Sequence, residues 1–212
     1  VQTCALPIFD ISNIQGTNTV AACVVFMNAK ASKSNYRKYN IKSVSGPNDF
    51  ASMEEVVFRR YRRLIDEKKA LPQLIVIDGG KGQLSSAVKS LKKLNIESKV
   101  TIIGIAKRLE EIYFPGDSIP LYLNKKSESL KIIQNLRNEA HRFGIEFHKS
   151  KRVKNAMNSI FDNIDGVGEK TKNKLLKKYK SLAMIKKLSF EEIKGEIGSD
   201  KAKKILEAFE KI

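Results

Sequence analysis

The chain has 212 residues and a hydrophobic content of 42%, enough for one domain of ordinary size and a small second one. Forty Lys and Arg against 23 Asp and Glu give a net charge of +17, which indicates a polyanionic partner, with double-stranded DNA first, because counterion release favours phosphate binding by a basic surface. A basic but merely solvated surface is the alternative. Residues 149–212 hold 17 basic and 9 acidic residues, a net of +8, leaving +9 for residues 1–148.

Cysteine usage and hydropathy argue against a disulfide-rich secreted protein and against a membrane-spanning one. The two cysteines, Cys4 and Cys23, are too few for a disulfide framework, and Cys23 lies in an apolar run typical of a reduced core thiol, so we expect a cytoplasmic protein. No run reaches the roughly 18 apolar residues of a membrane span, and none resembles a signal peptide. The first residue is Val rather than Met, which indicates a fragment, and residues 1–8 fit no pattern and are of doubtful origin.

The first part of the chain predicts strands and then alternating helices and strands. Residues 8–12, 19–27 and 35–41 predict an antiparallel meander, with turn formers such as Gly16 between them. Residues 49–69 have helical apolar spacing, with Asn48 or Asp49 as the N-cap. A buried strand at 74–77, a helix at 83–94 and a strand at 100–106 follow. This alternation predicts parallel pairing with right-handed crossovers.

The end of this region predicts a hairpin at 112–123 and a closing helix at 128–143. Residues 1–148 are therefore expected to form an α/β domain, a mixed sheet with flanking helices. Residues 149–156 are rich in Lys and Arg and are interpreted as a basic linker. Residues 157–212 predict a small all-α domain with short helices at 159–163, 170–178, 182–187, 190–196 and 201–211.

Two carboxylates occur in apolar strands. Asp10 lies inside the apolar run 8–11, and Asp78 ends the run 74–77. An ionised carboxylate in such a place is costly unless a positive charge compensates it. Mg²⁺ or Mn²⁺ would do so, and such hard cations also leave positions open for substrate phosphates. The alternative is structural: Asp78 caps the next helix and Asp10 pairs with a lysine.

His141 is a third candidate for this site. It lies on the polar face of the predicted helix 128–143, together with Gln134 and Asn138, and away from that helix's apolar stripe. A histidine in such a position can serve as a metal ligand or as a general acid or base. A polar surface residue without a role is the alternative.

Two glycine-rich segments could approach phosphate. The turn at residues 79–83 follows a strand, but its spacing differs from that of a nucleotide P-loop, so an ATPase is not indicated. The second segment lies between two short helices and can present backbone N–H groups to a DNA phosphate without reading sequence. A simple connection between helices is the alternative. The DNA-binding residues predicted there are Gly166, Val167, Gly168, Lys170, Thr171, Lys172 and Lys174.

Five ordered motifs resemble the C-terminal nuclease region of the UvrC family, from Phe9 onward over nearly the whole chain. Several motifs in the order found in the family make the resemblance far more specific than any one motif would. They are Phe9-Asp10-Ile11-Ser12, Gly16-Thr17-Asn18-Thr19-Val20-Ala21, Tyr36-Arg37-Lys38-Tyr39, Ile77-Asp78-Gly79-Gly80-Lys81-Gly82-Gln83-Leu84 and Arg137-Asn138-Glu139-Ala140-His141-Arg142-Phe143.

The resemblance implies an RNase H-like fold followed by a tandem helix-hairpin-helix domain, and a catalytic Asp-Asp-His set that carries over to Asp10, Asp78 and His141. It implies a metal-dependent DNA endonuclease that makes the 5′-side incision in nucleotide excision repair, after handover from UvrA and UvrB. The domain that makes the 3′ cut and the UvrB-binding segment are expected outside these residues. The second hairpin, at residues 196–202, keeps one glycine, so we expect a weaker phosphate contact there.

Two other functions remain open from the sequence. One is a DNA-binding fragment of the repair nuclease that cuts nothing, and the other is an RNase H-like enzyme that acts on RNA. The nuclease should bind Mn²⁺ at the paired carboxylates, which a binding module need not do, and an RNA-directed enzyme should cut RNA without partners.

Overall fold

The structure is a computed structural model, and it describes residues 4–14, 17–44, 46–106, 111–162, 164–179 and 182–210. Residue contacts divide the chain into two compact units, Val1–His148 and Lys149–Ile212. Across the described residues, no helix combines the length and the apolar character that crossing a membrane requires.

The first unit contains a mixed sheet. Its order is β3-β2-β1-β5-β6-β7, and β4 also pairs with β2. β1 pairs antiparallel with β2 and parallel with β5, β5 pairs parallel with β6, and the remaining pairs are antiparallel. The described strands are β1 (Ala5–Ile14), β2 (Thr17–Met27), β3 (Lys30–Ala31), β4 (Arg37–Asn40), β5 (Leu74–Asp78), β6 (Thr101–Ala106) and β7 (Glu111–Tyr113).

Helices cover both faces of this sheet. α1 (Asp49–Asp66) and α2 (Lys81–Lys93) pack on one face, where Phe9 and Ile77 join their apolar residues in a single buried cluster. α3 (Glu128–Asp162) covers the other face, where Ile8 and Val76 pack with Leu136 and other α3 residues. Successive residues of a strand point to opposite faces, so each central strand supplies both cores. The α/β class with a mixed sheet and flanking helices is confirmed.

Local hydrogen bonds explain where α1 begins and how it joins α2. Asn48 Oδ1 accepts a hydrogen bond from Ala51 N–H at 3.0 Å, which makes Asn48 the N-cap. The Ser90 hydroxyl of α2 donates to the Glu54 carbonyl of α1 at 2.6 Å, and Ser90 is fully buried. A buried hydroxyl needs such a partner, so this bond fixes the contact between the two helices.

The first three strands differ from the sequence prediction in two places. β1 begins at Ala5, which pairs with Met27, so part of the unassigned lead-in 1–8 belongs to the strand. The expected link after β2 contains a tight turn, with Asn28 and Ala29 at φ of 51° and 61°, and the short strand β3. Two left-handed residues in a two-residue loop match the twist of a hairpin. The predicted turn residue Gly16 lies outside the described residues.

The second half of this unit also corrects two predictions. The hairpin expected at 112–123 consists of the three-residue β7 and a single bridge, in which Ile112 and Leu121 exchange backbone hydrogen bonds of 3.0 and 2.8 Å. α3 does not end at residue 143 but continues to Asp162, through the predicted linker 149–156 and most of the predicted helix 159–163. Residues 149–156 are therefore helical.

The second unit is helical. Its apolar core includes Phe161, Val167, Leu175, Ile185 and Ile205. Besides the end of α3, the described helices are α4 (Glu169–Tyr179), α5 (Leu182–Ile185), α6 (Phe190–Ile197) and α7 (Ser199–Glu210). Ser189 and Glu192 form a capping box at the start of α6, each side chain accepting a backbone N–H of the other. A tandem helix-hairpin-helix arrangement stays a prediction.

Candidate active site

The register of β1 and β5 places Asp10 and Asp78 side by side. Ile8 pairs with Val76 and Phe9 with Ile77, so the next residue of each strand is an aspartate. Neighbouring strands lie about 4.8 Å apart, and residues two apart on a strand share a face. Both aspartates thus project to the α3 side, as Ile8 and Val76 do. They are only 6% and 8% exposed, so two carboxylates share a poorly hydrated place.

α3 brings His141 to the same position. His141 Nδ1 lies 3.7 Å from Asp10 Oδ2, and the imidazole side chain is 53% exposed. This distance exceeds that of a hydrogen bond, so the ring is adjacent to the carboxylate without a direct bond. The structure therefore collects all three residues of the Asp10, Asp78 and His141 set, with His141 on the solvent side. Their chemical roles stay a prediction.

Gly144 allows α3 to approach this closely. A Cβ atom on Gly144 would lie 3.3 Å from Asp10 Oδ2 and 3.9 Å from the Ala22 Cβ. The first distance is tighter than ordinary van der Waals contact, so any larger residue would press on the carboxylate. Gly144 keeps the helix backbone against β1 and β2 at the point where the aspartate needs room.

A second histidine, His148, holds α3 against β1, and the sequence analysis assigned it no role. His148 is 4% exposed, and its Nε2 lies 2.8 Å from the Ser12 carbonyl oxygen, two residues beyond Asp10. It follows His141 by seven residues, close to two helical turns, so both occupy one face of α3. That spacing was the available signal, because a pair of histidines seven residues apart predicts one shared helix face.

The tyrosine of the Tyr36-Arg37-Lys38-Tyr39 motif also contacts α3. The Tyr36 hydroxyl donates to Glu139 Oε1 at 3.2 Å, and Arg142 donates to both oxygens of the same carboxylate. Burial, and then the charge of Glu139, raise the pKa of Tyr36 to about 12, so the hydroxyl stays a donor at neutral pH. This anchor fixes the helical turn that carries His141.

The donor set fits an open site for a divalent cation better than a closed one. Within the described residues, the His, Cys, Asp and Glu side chains form no group of three or more that is placed to hold a metal ion. Mg²⁺ is usually bound through one or two carboxylates, with water and substrate phosphates completing its octahedron. The neighbouring Asp10 and Asp78 carboxylates provide such oxygen ligands.

Comparison with known proteins decides the family. The profile described as UvrC RNAse H endonuclease domain matches residues 3–145. The chain belongs to this family. The match includes both aspartates and His141, so the RNase H-like fold and the endonuclease class apply to this domain.

Curated relatives of the UvrC domain extend the match along the chain. A protein named UvrABC system protein C from Flavobacterium psychrophilum is 63% identical over 96% of this chain and 34% of its own length. Proteins of the same name from Christiangramia forsetii and Porphyromonas gingivalis are 66% and 56% identical, over 92% and 96% of this chain and 32% and 34% of theirs. The chain thus spans about a third of the length of these relatives.

Among solved structures, an endonuclease V of Ciona intestinalis in complex with an inosine-containing DNA is 24% identical, with a TM-score of 0.36. The structural match covers 65% of this chain and 57% of the endonuclease V chain. A likeness of this size supports no conclusion about the UvrC domain.

The predicted DNA-binding loop lies in the second unit, beyond the UvrC family match. Gly166 has a φ of +84°, which favours glycine, and the Lys204 ammonium donates to the carbonyl of the preceding Asp165 at 3.1 Å. The Gly168 carbonyl accepts from the N–H groups of Thr171 and Lys172, which starts α4. Gly166, Gly168 and Lys170 are exposed and Thr171 is half-buried.

Three other predicted residues of this loop are less available to DNA. Val167 is 5% exposed and packs in the core of the unit, so only its backbone faces the loop. Lys172 is also 5% exposed, so little of its side chain is accessible in this structure, and its contact with a phosphate stays a prediction. The Lys174 ammonium donates to the Glu196 carbonyl and pairs with the Glu196 carboxylate at 3.6 Å. A DNA phosphate would compete with Glu196 for Lys174.

Proposed function

We propose that this chain is the DNA endonuclease part of a UvrABC system and makes the 5′-side incision in nucleotide excision repair. The observation that carries the proposal is the pair of buried aspartates on neighbouring strands, in an endonuclease-family sheet, with His141 Nδ1 3.7 Å from Asp10 Oδ2. Relatives that share more than half of the sequence are named UvrABC system protein C, which supports the same assignment.

Asp10 and Asp78 would hold Mg²⁺ or Mn²⁺, and His141 would complete the metal shell or move a proton. The cation would supply an activated water molecule and stabilise the charge that develops on the scissile phosphate. The burial of both carboxylates favours a bound cation, since an uncompensated charge in this setting is costly. The exposed imidazole of His141 can reach the substrate side of the site, where a general acid or base must be.

The second unit would hold the duplex through a helix-hairpin-helix contact. Gly166, Gly168, Lys170 and Thr171 form the exposed part of the predicted loop at the start of α4, where backbone N–H groups favour an anion. Such contacts position a protein on DNA without reading its sequence. UvrB would be the protein partner of the full-length protein, with UvrA acting before it in the same pathway.

The experiment replaces Asp78 with Asn, which keeps the shape and removes the charge. Asp117→Asn serves as the control because Asp117 is an exposed aspartate of the turn after β7 and is not one of the three candidate site residues. Nicking of a damaged duplex preloaded with UvrA and UvrB is measured with and without Mg²⁺. We expect Asp78→Asn to lose at least about 100-fold in rate while Asp117→Asn cuts normally. Equal cutting by Asp78→Asn, or DNA binding without any metal-dependent cutting by the unaltered chain, would overturn the proposed activity.

A further inference from the structure

The two aspartates belong to a row of side chains that continues across the sheet to Lys38. Asp10 pairs with Ala22 of β2, and Ala22 pairs with Lys38 of β4. Because paired residues of neighbouring strands share a face, Asp78, Asp10, Ala22 and Lys38 occupy one line on the α3 side. Two strand spacings, about 10 Å, separate the backbones of Asp10 and Lys38.

Aromatic rings of α3 hold the ammonium group of Lys38 in place. Lys38 Nζ lies 4.7 Å from the ring centre of Phe143 and 5.4 Å from that of Phe147. Tyr36 packs edge-on against Phe143 with ring centres 5.1 Å apart, and is itself bonded to Glu139. The rings restrict the long lysine chain, which lowers the conformational entropy lost when it binds a ligand.

Lys38 is the only residue of the Tyr36-Arg37-Lys38-Tyr39 motif that is both cationic and available on this face. Arg37 donates to the backbone carbonyls of Ser34 and Tyr36, and Tyr39 packs with Arg59 on the opposite side of the sheet. Lys38 is exposed, and its ammonium group lies over the Phe143 ring. An exposed amine in this position can be reached by an anionic ligand from solvent.

We propose that Lys38 binds a phosphate of the DNA strand being cut, beside the scissile phosphate. The inference rests on the proposed function, because it needs the scissile phosphate at Asp10 and Asp78. A DNA strand that crosses Asp10 and Asp78 meets two negative charges. The Lys38 ammonium group at the end of the same row would attract the phosphate backbone of that DNA strand. A lysine binds phosphate as a point charge and carries no base specificity, as an enzyme acting on many sequences requires. Lys38 is thus a positioning residue.

The test combines protein and DNA changes in a double-mutant cycle. Lys38→Met keeps the hydrocarbon chain on the Phe143 and Phe147 rings and removes the charge, Lys38→Arg keeps the charge, and Lys30→Met removes another exposed lysine, on β3, outside the row. Duplex substrates carry one neutral methylphosphonate at successive positions around the cut. Nicking kinetics give kcat and KM, and binding is titrated separately with Ca²⁺ in place of Mg²⁺.

We expect Lys38→Met to lower kcat/KM about tenfold, mainly through KM, and to reduce the salt slope of binding by about one. At one position of the duplex, a methylphosphonate should lower kcat/KM of the unaltered chain by the same factor of about ten. The same methylphosphonate should not lower kcat/KM of Lys38→Met any further. Lys38→Arg and Lys30→Met should retain the full penalty at that position.

Equal methylphosphonate penalties for the unaltered chain and Lys38→Met at every position, in both cutting and binding, would overturn the inference. A chain that never cuts but shows the coupling in Ca²⁺ binding would contradict the proposed function and keep the phosphate contact. The two failures are therefore distinguishable.

Discussion

Gly144 lies against Asp10 so closely that an added Cβ atom would come within 3.3 Å of the Asp10 Oδ2 atom. The glycine is inside α3, where alanine would otherwise be the better residue by about 1 kcal/mol. Helix stability and the room needed by the carboxylate thus make opposite demands at this position. Residue 144 is glycine, so the room needed by the Asp10 carboxylate outweighs helix stability at this position.

Gly144→Ala should lower activity without lowering stability. The methyl group should displace the Asp10 carboxylate, and a shift of a few tenths of an ångström at this proposed metal ligand should reduce nicking at least about tenfold. The better helix propensity offsets the crowding, so the free energy of unfolding should change by less than about 1 kcal/mol. Gly195→Ala in α6, where a Cβ meets nothing within 4 Å, is the control and should keep full activity. An active Gly144→Ala enzyme would contradict this account of the glycine.

The two histidines on one face of α3 should respond in opposite ways to alanine. His148→Ala leaves the Ser12 carbonyl without its partner and opens a gap, which should cost about 1–3 kcal/mol in the free energy of unfolding. His141→Ala removes an exposed ring, so its unfolding free energy should stay within about 0.5 kcal/mol while nicking is lost. Denaturant titration and nicking assays on both variants measure this. A destabilised His141→Ala or a fully stable His148→Ala would show that the roles are misassigned.

Glu55 should make the first unit sensitive to acid. Burial alone would raise its pKa, but hydrogen bonds from the Ser43 hydroxyl and N–H, the Lys42 N–H and Arg59 outweigh burial and lower the pKa from 4.5 to about 2. A lowered folded pKa means that the stabilisation is complete above pH 4.5 and is lost as the pH falls toward 2. Solvent screening reduces its size to about 1–2 kcal/mol.

Glu55→Gln should therefore be less stable than the unaltered chain at pH 7, and the difference should shrink between pH 4.5 and pH 2. Thermal unfolding at several pH values measures it. Glu54→Gln, whose carboxylate pairs with Lys93 on the surface, is the control and should show a smaller difference. A stability gap for Glu55→Gln that stays constant with pH would refute the assignment.

Glu196 pairs with two lysines of the second unit that the proposed DNA contact could use. Its carboxylate pairs with both Lys174 and Lys178, and the hydrogen bond from Lys178 lowers the pKa of Glu196. Glu196→Gln should remove both ion pairs, although Lys174 keeps its bond to the backbone carbonyl of residue 196, and should tighten duplex binding about threefold at low salt, with a steeper salt dependence. Glu191→Gln is the matched control, because the Glu191 carboxylate pairs with Lys194 on the surface of α6. Fluorescence anisotropy measures both, and unchanged binding by Glu196→Gln would place these lysines away from DNA.

The sequence predicted elements whose signals are local. Asn48 caps α1 through a bond to a residue three positions later, and the apolar run at 74–77 could form only a buried strand. These features depend on short-range hydrogen bonds or on the alternation of strands and helices. That the strands of Asp10 and Asp78 are neighbours is shown by the structure, because their pairing joins segments far apart in the chain.

The predicted bounds of helices and strands were wrong where tertiary contacts outweigh composition and local pattern. The basic run 149–154 was interpreted as a linker, but Lys and Arg are good helix formers, so charge alone did not end α3. Pro7 obscured the start of β1, since proline is rare within sheets, yet it pairs with Val25. The hydrogen bond between His148 and the Ser12 carbonyl joins segments far apart in the chain, so the sequence could indicate the helix face of His148 but not this partner.

The most direct test of the central claim is Mn²⁺ binding to the carboxylate pair, measured by the loss of the free Mn²⁺ electron paramagnetic resonance signal. The unaltered chain and Asp117→Asn should bind equally, whereas Asp10→Asn and Asp78→Asn should each weaken binding by at least about tenfold while remaining folded by circular dichroism. If folded Asp10→Asn and Asp78→Asn bind Mn²⁺ as tightly as the unaltered chain, the two aspartates do not form the metal site.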